Sequence, residues 1–306
     1  MKGLVLRSTG KWYKIRTEKG TLIEAQLKGK IRLLELNVTN PIAVGDTVIL
    51  EDNEGTWMIK SIEDRKNFII RTSPKNIHLK QIIASNIDLA VLIVTLHKPR
   101  TSSGFIDRFL LTAEAYHIPT IIVFNKQDVL RERDIEKQAE FIELYEKIGY
   151  KTLLTSATLG EGVAELQVLI KDKTILLSGH SGVGKSSLAN AIDSSLDLKT
   201  KDLSKKFNKG VHTTTHAQMY ELPTGGNVID VPGIKEFGVV GFDKYEVSQY
   251  FREFKELATA CKFSDCMHRD EPNCAIKNGV NEGIIHPERY INYLNIMDSL
   301  EESKEY

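Results

Sequence analysis

Leu176-Leu177-Ser178-Gly179-His180-Ser181-Gly182-Val183-Gly184-Lys185-Ser186-Ser187 decides the fold class. The apolar run 174–177 leads into it as a buried strand, and 187–192 follow with helical periodicity. Between them lies Gly-x4-Gly-Lys-Ser, a loop that cradles phosphates. Its glycines let successive N–H groups turn toward an anion with no Cβ in the way. The helix that follows aims its unpaired N-terminal donors at the same anion. Lys185 brings a point charge to the outer phosphates, and the Ser186 hydroxyl can join a Mg²⁺ shell. Gly179, His180, Ser181, Gly182, Val183, Gly184, Lys185, Ser186 and Ser187 are therefore the expected phosphate-binding residues. A chance glycine-rich turn would lack the strand before and the helix after. The loop leaves the base unnamed.

The base is named upstream. Asn125-Lys126-Gln127-Asp128 follows a predicted strand at 120–124. A carboxylate at Asp128 can accept from guanine N1–H and the 2-amino group. Adenine offers neither donor and would leave the carboxylate unpaired. Asn125 can tie neighbouring loops together, and the Lys126 stem can lie on the base. Thr155-Ser156-Ala157 ends the next predicted strand, where Ser156 and Ala157 match the backbone contact that small GTPases make to the guanine carbonyl. Asp230-Val231-Pro232-Gly233 ends another. There Asp230 is expected to hold Mg²⁺ through a water, and the Gly233 N–H to meet the terminal phosphate. Gly210-Val211-His212-Thr213-Thr214-Thr215 lies between the phosphate loop and Asp230. Thr214 or Thr215 would complete the Mg²⁺ shell when a γ-phosphate is present.

Most GTPases run phosphate loop, switch threonine, Asp-x-x-Gly, Asn-Lys-x-Asp, Ser-Ala. Here the last two come first. The same sheet has been cut and rejoined, as domains with neighbouring termini permit. Apolar runs at 88–96, 120–124, 151–155, 174–177, 217–222 and 227–231 alternate with amphipathic segments at 105–116, 134–148 and 162–170. That alternation predicts a doubly wound α/β domain with helices on both faces. Residues 199–216, dense in Lys and Thr, read as a mobile loop. The segment after Asp230 senses the γ-phosphate and runs directly into the C-terminal region. Nucleotide state is thus expected to bias how that region sits.

Outside this domain, the first seventy residues read as five short strands, at 3–7, 12–17, 21–27, 46–50 and 57–63, separated by turn signals. Five such strands predict a small closed barrel of the OB type. Residues 1–32 hold nine Lys/Arg against two Glu, although the whole chain of 306 residues has a formal net charge of +0. Lys11, Trp12, Lys14 and Arg16, with Tyr13 among them, interleave cations and aromatics in the pattern that stacks on bases and follows a phosphate backbone. A solvated face on a structural barrel is the competing reading. Residues 67–84, polar and containing Pro74, read as a linker.

The three cysteines fall in Cys261-x4-Cys266-x-His268-x5-Cys274. A clustered, odd set argues for metal rather than disulfides. Three sulfurs and one imidazole match a closed tetrahedral site for one structural Zn²⁺. A closing helix is expected over 287–300, opened by Pro287. No apolar run reaches membrane-spanning length, and Met1-Lys2-Gly3 leads into no signal-peptide core, so the expected location is the cytoplasm, with no membrane partner.

The barrel, the permuted motif order, Gly-His-Ser-Gly-Val-Gly-Lys-Ser-Ser-Leu, Gly-x-His-Thr-Thr-Thr, Asp-x-Pro-Gly and Cys-x4-Cys-x-His-x5-Cys together resemble the RsgA (YjeQ) family, bacterial circularly permuted GTPases of small-ribosomal-subunit assembly. The resemblance covers the whole chain. It implies three domains: an OB-fold RNA-binding barrel at 1–72, a circularly permuted P-loop GTPase domain of α/β class at 73–241, and a zinc-binding helical domain at 242–306. It also implies a monomer that hydrolyses GTP to GDP, takes Mg²⁺ with the nucleotide, docks on the small ribosomal subunit and its rRNA, is stimulated there, and leaves after hydrolysis. An RNA-binding adaptor that holds GTP as a structural ligand with little turnover is the alternative. A small-molecule kinase using ATP is disfavoured by Asn125-Lys126-Gln127-Asp128. Catalysis needs a water-orienting group. Ras-like enzymes place a glutamine after Asp-x-x-Gly, but Ile234 stands here, with no donor or acceptor. His212, beside the switch threonines, is the candidate catalytic residue.

Overall fold

The structure, a computed structural model, describes residues 1–27, 41–73, 76–196, 217–231 and 242–302. Strands β1 (Lys2–Ser8), β2 (Tyr13–Thr17), β3 (Leu22–Leu27), β4 (Thr47–Asn53) and β5 (Thr56–Ile62) form the N-terminal unit. Their order, β1-β2-β3-β5-β4 with β4 pairing back to β1, closes a barrel. Alternation sorts its side chains: Val5, Tyr13, Ile15, Ala25, Val48, Leu50 and Ile59 point inward as one apolar cluster. Tyr13, expected beside Trp12 on a base-stacking surface, is instead core. It and Ile15 lie on the inward register of β2, whereas Trp12, Lys11 and Lys14 are exposed.

Residues 67–84 are no linker. Phe68–Ser73 (β6) and Asn76–Ser85 (β7) pair as an antiparallel hairpin. Its buried Ile69, Ile70, Ile82 and Ile83 outweigh the segment's polarity, and Pro74 falls between the two strands in sequence. The hairpin is tied to the barrel by the fully buried Asp46, which accepts from Arg65, the Ala43 N–H and the Ser85 hydroxyl.

The α/β unit follows: β8 (Leu89–Val94), α1 (Ser103–Ala115), β9 (Thr120–Phe124), α2 (Glu132–Lys147), β10 (Lys151–Leu154), α3 (Val163–Ile170), β11 (Thr174–Ser178), α4 (Lys185–Ile192), β12 (Gln218–Glu221) and β13 (Asn227–Asp230). The strand order is β10-β9-β8-β11-β13-β12, parallel except for β12. β8 and β9 are buried along their whole length, as interior parallel strands are. Separate apolar clusters cover the two faces of the sheet. β12 also pairs with β1 at Arg7↔Gln218, so barrel and α/β sheet are hydrogen-bonded into one sheet.

Helices α5 (Arg252–Leu257), α6 (Ala275–Asn281) and α7 (Pro287–Glu302) form the C-terminal unit. α7 buries Arg289, Asn292, Tyr293, Ile296, Met297 and Leu300, the i, i+3, i+4 stripe of one helix face. Its first half packs on α1, where Gly104 leaves 3.3 Å between an added Cβ and the Asn292 Oδ1. None of the described helices is long and apolar enough to cross a membrane.

Candidate nucleotide site and metal cluster

The ends of β8, β9, β10, β11 and β13 converge at the carboxyl edge of the parallel sheet, the usual ligand edge of such folds. β11 delivers the loop Gly179–Gly184, and α4 starts at Lys185. Gly184 has φ +97, and a Cβ there would sit 2.5 Å from Asn125 Nδ2. Only glycine permits both that turn and that approach. Asn125 is the fastener: its Nδ2 donates to the Val183 carbonyl at 2.9 Å, and its Oδ1 accepts from Thr155 Oγ1 at 3.0 Å and from the Ala157 N–H at 3.3 Å. One buried side chain thus ties the phosphate loop to both of the loops expected to read the base.

Lys126 takes a left-handed conformation, φ 68, and its Nζ donates to the Lys98 carbonyl at 2.7 Å. Asp128 is exposed on the short turn 127–129, and its Oδ1 accepts the Ser156 hydroxyl at 2.7 Å. Lys185 Nζ donates to the Gly179 and His180 carbonyls at 2.6 and 2.8 Å. Asp230 ends β13 opposite Leu177. Burial lowers the Lys185 pKa and raises that of Asp230, and each charge partly restores the other. Ser186, in the first turn of α4, is half-buried, while Ser181 of the loop and Ser187 of α4 are exposed. His212, Thr214, Thr215 and Gly233 lie outside the described residues, as does the lysine-rich segment 199–216.

Two features here were not legible in the sequence. The 95–101 segment lines the phosphate loop: an added Cβ at Gly182 would lie 3.4 Å from Pro99 Cδ, and Thr95 and Thr101 lace the segment together. The ring of Phe105 on α1 lies 3.7 Å from the ring of His180, tilted by 31°. A strand–helix junction beside a phosphate loop was the available signal, but nothing in it names these residues.

The cysteine motif is assembled as the spacing predicts. Ligand atoms of Cys261, Cys266, His268 and Cys274 all lie within 4.8 Å of one another and can hold a metal ion. His268 Nδ1 is 3.6 Å from Cys261 Sγ and 3.4 Å from Cys274 Sγ. Tyr290 and Tyr293 of α7 donate their hydroxyls to the His268 and Met267 carbonyls, fixing the loop that carries the imidazole. Burial, then the neighbouring thiols, push Cys266 up to about 12. A bound cation would reverse that balance by favouring thiolate.

A family model described as RsgA GTPase matches residues 62–240, and one described as RsgA N-terminal domain matches residues 2–57. Small ribosomal subunit biogenesis GTPase RsgA of Flavobacterium psychrophilum is 46% identical, covering 99% of this chain and 94% of the relative. The protein of the same name from Phocaeicola vulgatus is 47% identical, covering 99% and 98%. The crystal structure of YjeQ from Thermotoga maritima superposes with a TM-score of 0.80 at 35% identity, covering 98% of both chains. That of YloQ, a circularly permuted GTPase, gives 0.74 at 28% identity, covering 99% and 95%. Matches that run from the barrel through the whole α/β sheet, at this identity and coverage, place the chain in the RsgA family of circularly permuted GTPases.

Proposed function

We propose that this chain is a GTP-hydrolysing late assembly factor of the small ribosomal subunit, acting in the cytoplasm as a monomer on ribosomal RNA and leaving after hydrolysis. The observation that carries the reading is Asn125, which joins a guanine-type loop to a phosphate loop in permuted order beside a closed, basic barrel. The names of the full-length relatives supply the subunit. Lys185 would exchange its two carbonyl partners for phosphate oxygens, bringing an already desolvated ammonium to the charge it neutralises. Ser186 and Asp230, with Thr214 or Thr215, would hold Mg²⁺, which supplies charge neutralisation between the β- and γ-phosphates. Asp128 would accept from the guanine edge, with Ser156 and Ala157 facing the guanine carbonyl. Hydrolysis measured with and without purified small subunits tests the whole reading. Slow turnover alone and strong acceleration by subunits is expected; an unchanged rate on saturating subunits favours the adaptor that merely holds GTP.

His212 is the proposed water-orienting residue. His212→Ala should keep GTP binding and subunit docking while losing about a hundredfold in subunit-stimulated single-turnover hydrolysis. Wild-type rates in this variant would remove His212 from the mechanism.

On the barrel, Lys11, Trp12 and Lys14 are open to an RNA strand, but Arg16 is ion-paired with Glu221 of β12. Arg16 therefore spends part of its charge joining barrel to sheet. Lys11→Glu with Lys14→Glu should weaken subunit binding by about tenfold or more, with a shallower salt dependence, since phosphate contacts release counterions. GTP affinity should change less. Equal subunit binding by the double variant would count against this face.

The metal is proposed to be zinc. A tetrahedron with Zn–S bonds of about 2.3 Å and a Zn–N bond of about 2.0–2.1 Å has N···S edges of about 3.5–3.6 Å, close to the contacts His268 Nδ1 makes with Cys261 and Cys274. One Zn²⁺ per chain is expected in protein purified without chelators, and elemental analysis near zero would refute it. Chelation should loosen the C-terminal unit while the α/β unit stays folded.

A further inference from the structure

The phosphate loop is fastened at two places by residues already described, the Val183 carbonyl by Asn125 and the Gly179 and His180 carbonyls by Lys185. His180 and Ser181 are flanked by Gly179 at φ +141 and Gly182 at φ +89, conformations that only glycine adopts freely. Lys185 cannot serve as an anchor once it turns to phosphate. What then holds residue 180 is its ring, together with the long bond from the Val183 N–H to the His180 carbonyl at 3.4 Å. The imidazole and Phe105 ring centroids are 3.7 Å apart and the planes are tilted by 31°, which puts the two rings in direct contact. Phe105 is itself held, in the first turn of a helix capped by Ser102, whose side chain accepts from the Phe105 N–H. Two residues on, Asp107 is gripped by Arg289 and Asn292 of α7, and Ser103 donates to Glu288. The aromatic partner is therefore fixed to a rigid frame, not to a loop.

We infer that Phe105 is a positioning residue for nucleotide binding: its stack on His180 pre-orders the first half of the phosphate loop, so that the N–H groups there need not be ordered by the nucleotide. The Phe105 ring touches the phosphate loop at His180. The inference rests on the GTPase reading of the site. Burial lowers the His180 pKa, with Lys185 adding to it, which favours the neutral imidazole against the Phe105 ring.

Pre-ordering acts on affinity, not on the chemical step, so Phe105→Ala should raise KM for GTP and Kd for GDP about three- to tenfold, the scale of one aromatic pair. Saturated single-turnover rates should stay within about twofold, and because chemistry is slow KM here reports Kd. Phe105→Tyr should restore affinity. Phe105→Leu, which refills most of the volume without a ring face, should not. In a His180→Ala background the Phe105→Ala effect should vanish, since the two act through one contact. The imidazole titration of His180, followed by NMR, should move up toward its ordinary value when Phe105 is removed. An unchanged KM in Phe105→Ala, a Leu variant equal to wild type, or additive effects in the double variant would each overturn the inference. Should Phe105→Ala not fold, the Leu and Tyr variants carry the same test. If wild type hydrolyses no GTP, the GTPase reading fails instead, and the GDP titration still decides the stack.

Discussion

Asp128→Asn is expected to weaken GTP binding by about 2–4 kcal/mol, roughly thirty- to a thousandfold, and to transfer preference to xanthosine triphosphate. The carboxylate would accept two guanine donors, and the amide replaces one acceptor with a donor that matches the extra carbonyl of xanthine. The structure makes this substitution a clean probe. Asp128 is exposed, and its Oδ1 accepts the Ser156 hydroxyl at 2.7 Å. Asparagine keeps an oxygen to accept that bond. The turn 127–129 is held by backbone bonds, including Gln127 N–H to the Thr155 carbonyl, which the change leaves alone. A lost affinity then reads base recognition, not a collapsed loop. Calorimetric titration with both nucleotides gives the answer, and an unchanged GTP Kd would remove Asp128 from the base site.

How much was legible follows from how far each interaction reaches along the chain. The phosphate loop and Asn125-Lys126-Gln127-Asp128 could be read because their chemistry is written in adjacent residues. The same is true of the metal cluster, where Cys261 and Cys274 are thirteen positions apart and the spacing is the signal. The five barrel strands follow from local alternation and turn residues. The β6–β7 hairpin was missed because its alternation is diluted by Lys, Gln and His, and its register shifts twice. The β1–β12 pair joins Arg7 to Gln218, and no local pattern reports a partner so distant. Tyr13 was misread because a basic, aromatic run does not say which of its members the pleat turns inward. The Phe105 stack on His180 likewise depends on where two elements meet. For His212, Thr214, Thr215 and Gly233 the sequence motif is the whole of the argument, since they lie outside the described residues.

Asp107 is the clearest polar residue at an apolar position. It sits on the buried face of α1, between Ile106 and Phe109, and is fully buried itself. A periodic helix with a carboxylate on its inner face announces a partner without naming it. The partner is Arg289, also fully buried, whose Nη1 lies 2.6 Å from Asp107 Oδ1 and whose other nitrogens clasp Glu253 at 2.6 and 3.0 Å. Asn292 and Tyr145 complete the set around Asp107. Burial alone would lower the Arg289 pKa, but Asp107 and Glu253 outweigh it and hold the guanidinium charged. This network, with Arg252 bonded to Glu114 and stacked on Tyr150, joins the C-terminal unit to α1 and the end of α2. Arg289→Met leaves two carboxylates without their cation, a change that typically costs about 3–5 kcal/mol. Amide exchange on α1 and α7 should therefore speed up by on the order of a hundred- to a thousandfold. The deficit should depend on pH. Burial raises the Asp107 pKa, and Arg289, Asn292 and Tyr145 pull it back. Without Arg289 it rises further. A raised acid contributes stability that is intact below its unfolded pKa, about 4, and lost as pH climbs through the folded value. Protection in Arg289→Met should thus be closer to wild type at pH 5 than at pH 8. Adding Asp107→Asn removes one uncompensated charge and should recover part of the loss at pH 8. Wild-type protection of α7 in the single variant at pH 8 would mean that Arg289 does not fasten the C-terminal unit to the GTPase core, leaving apolar packing and the bonds of Ser103, Asn292 and Arg252 to do so.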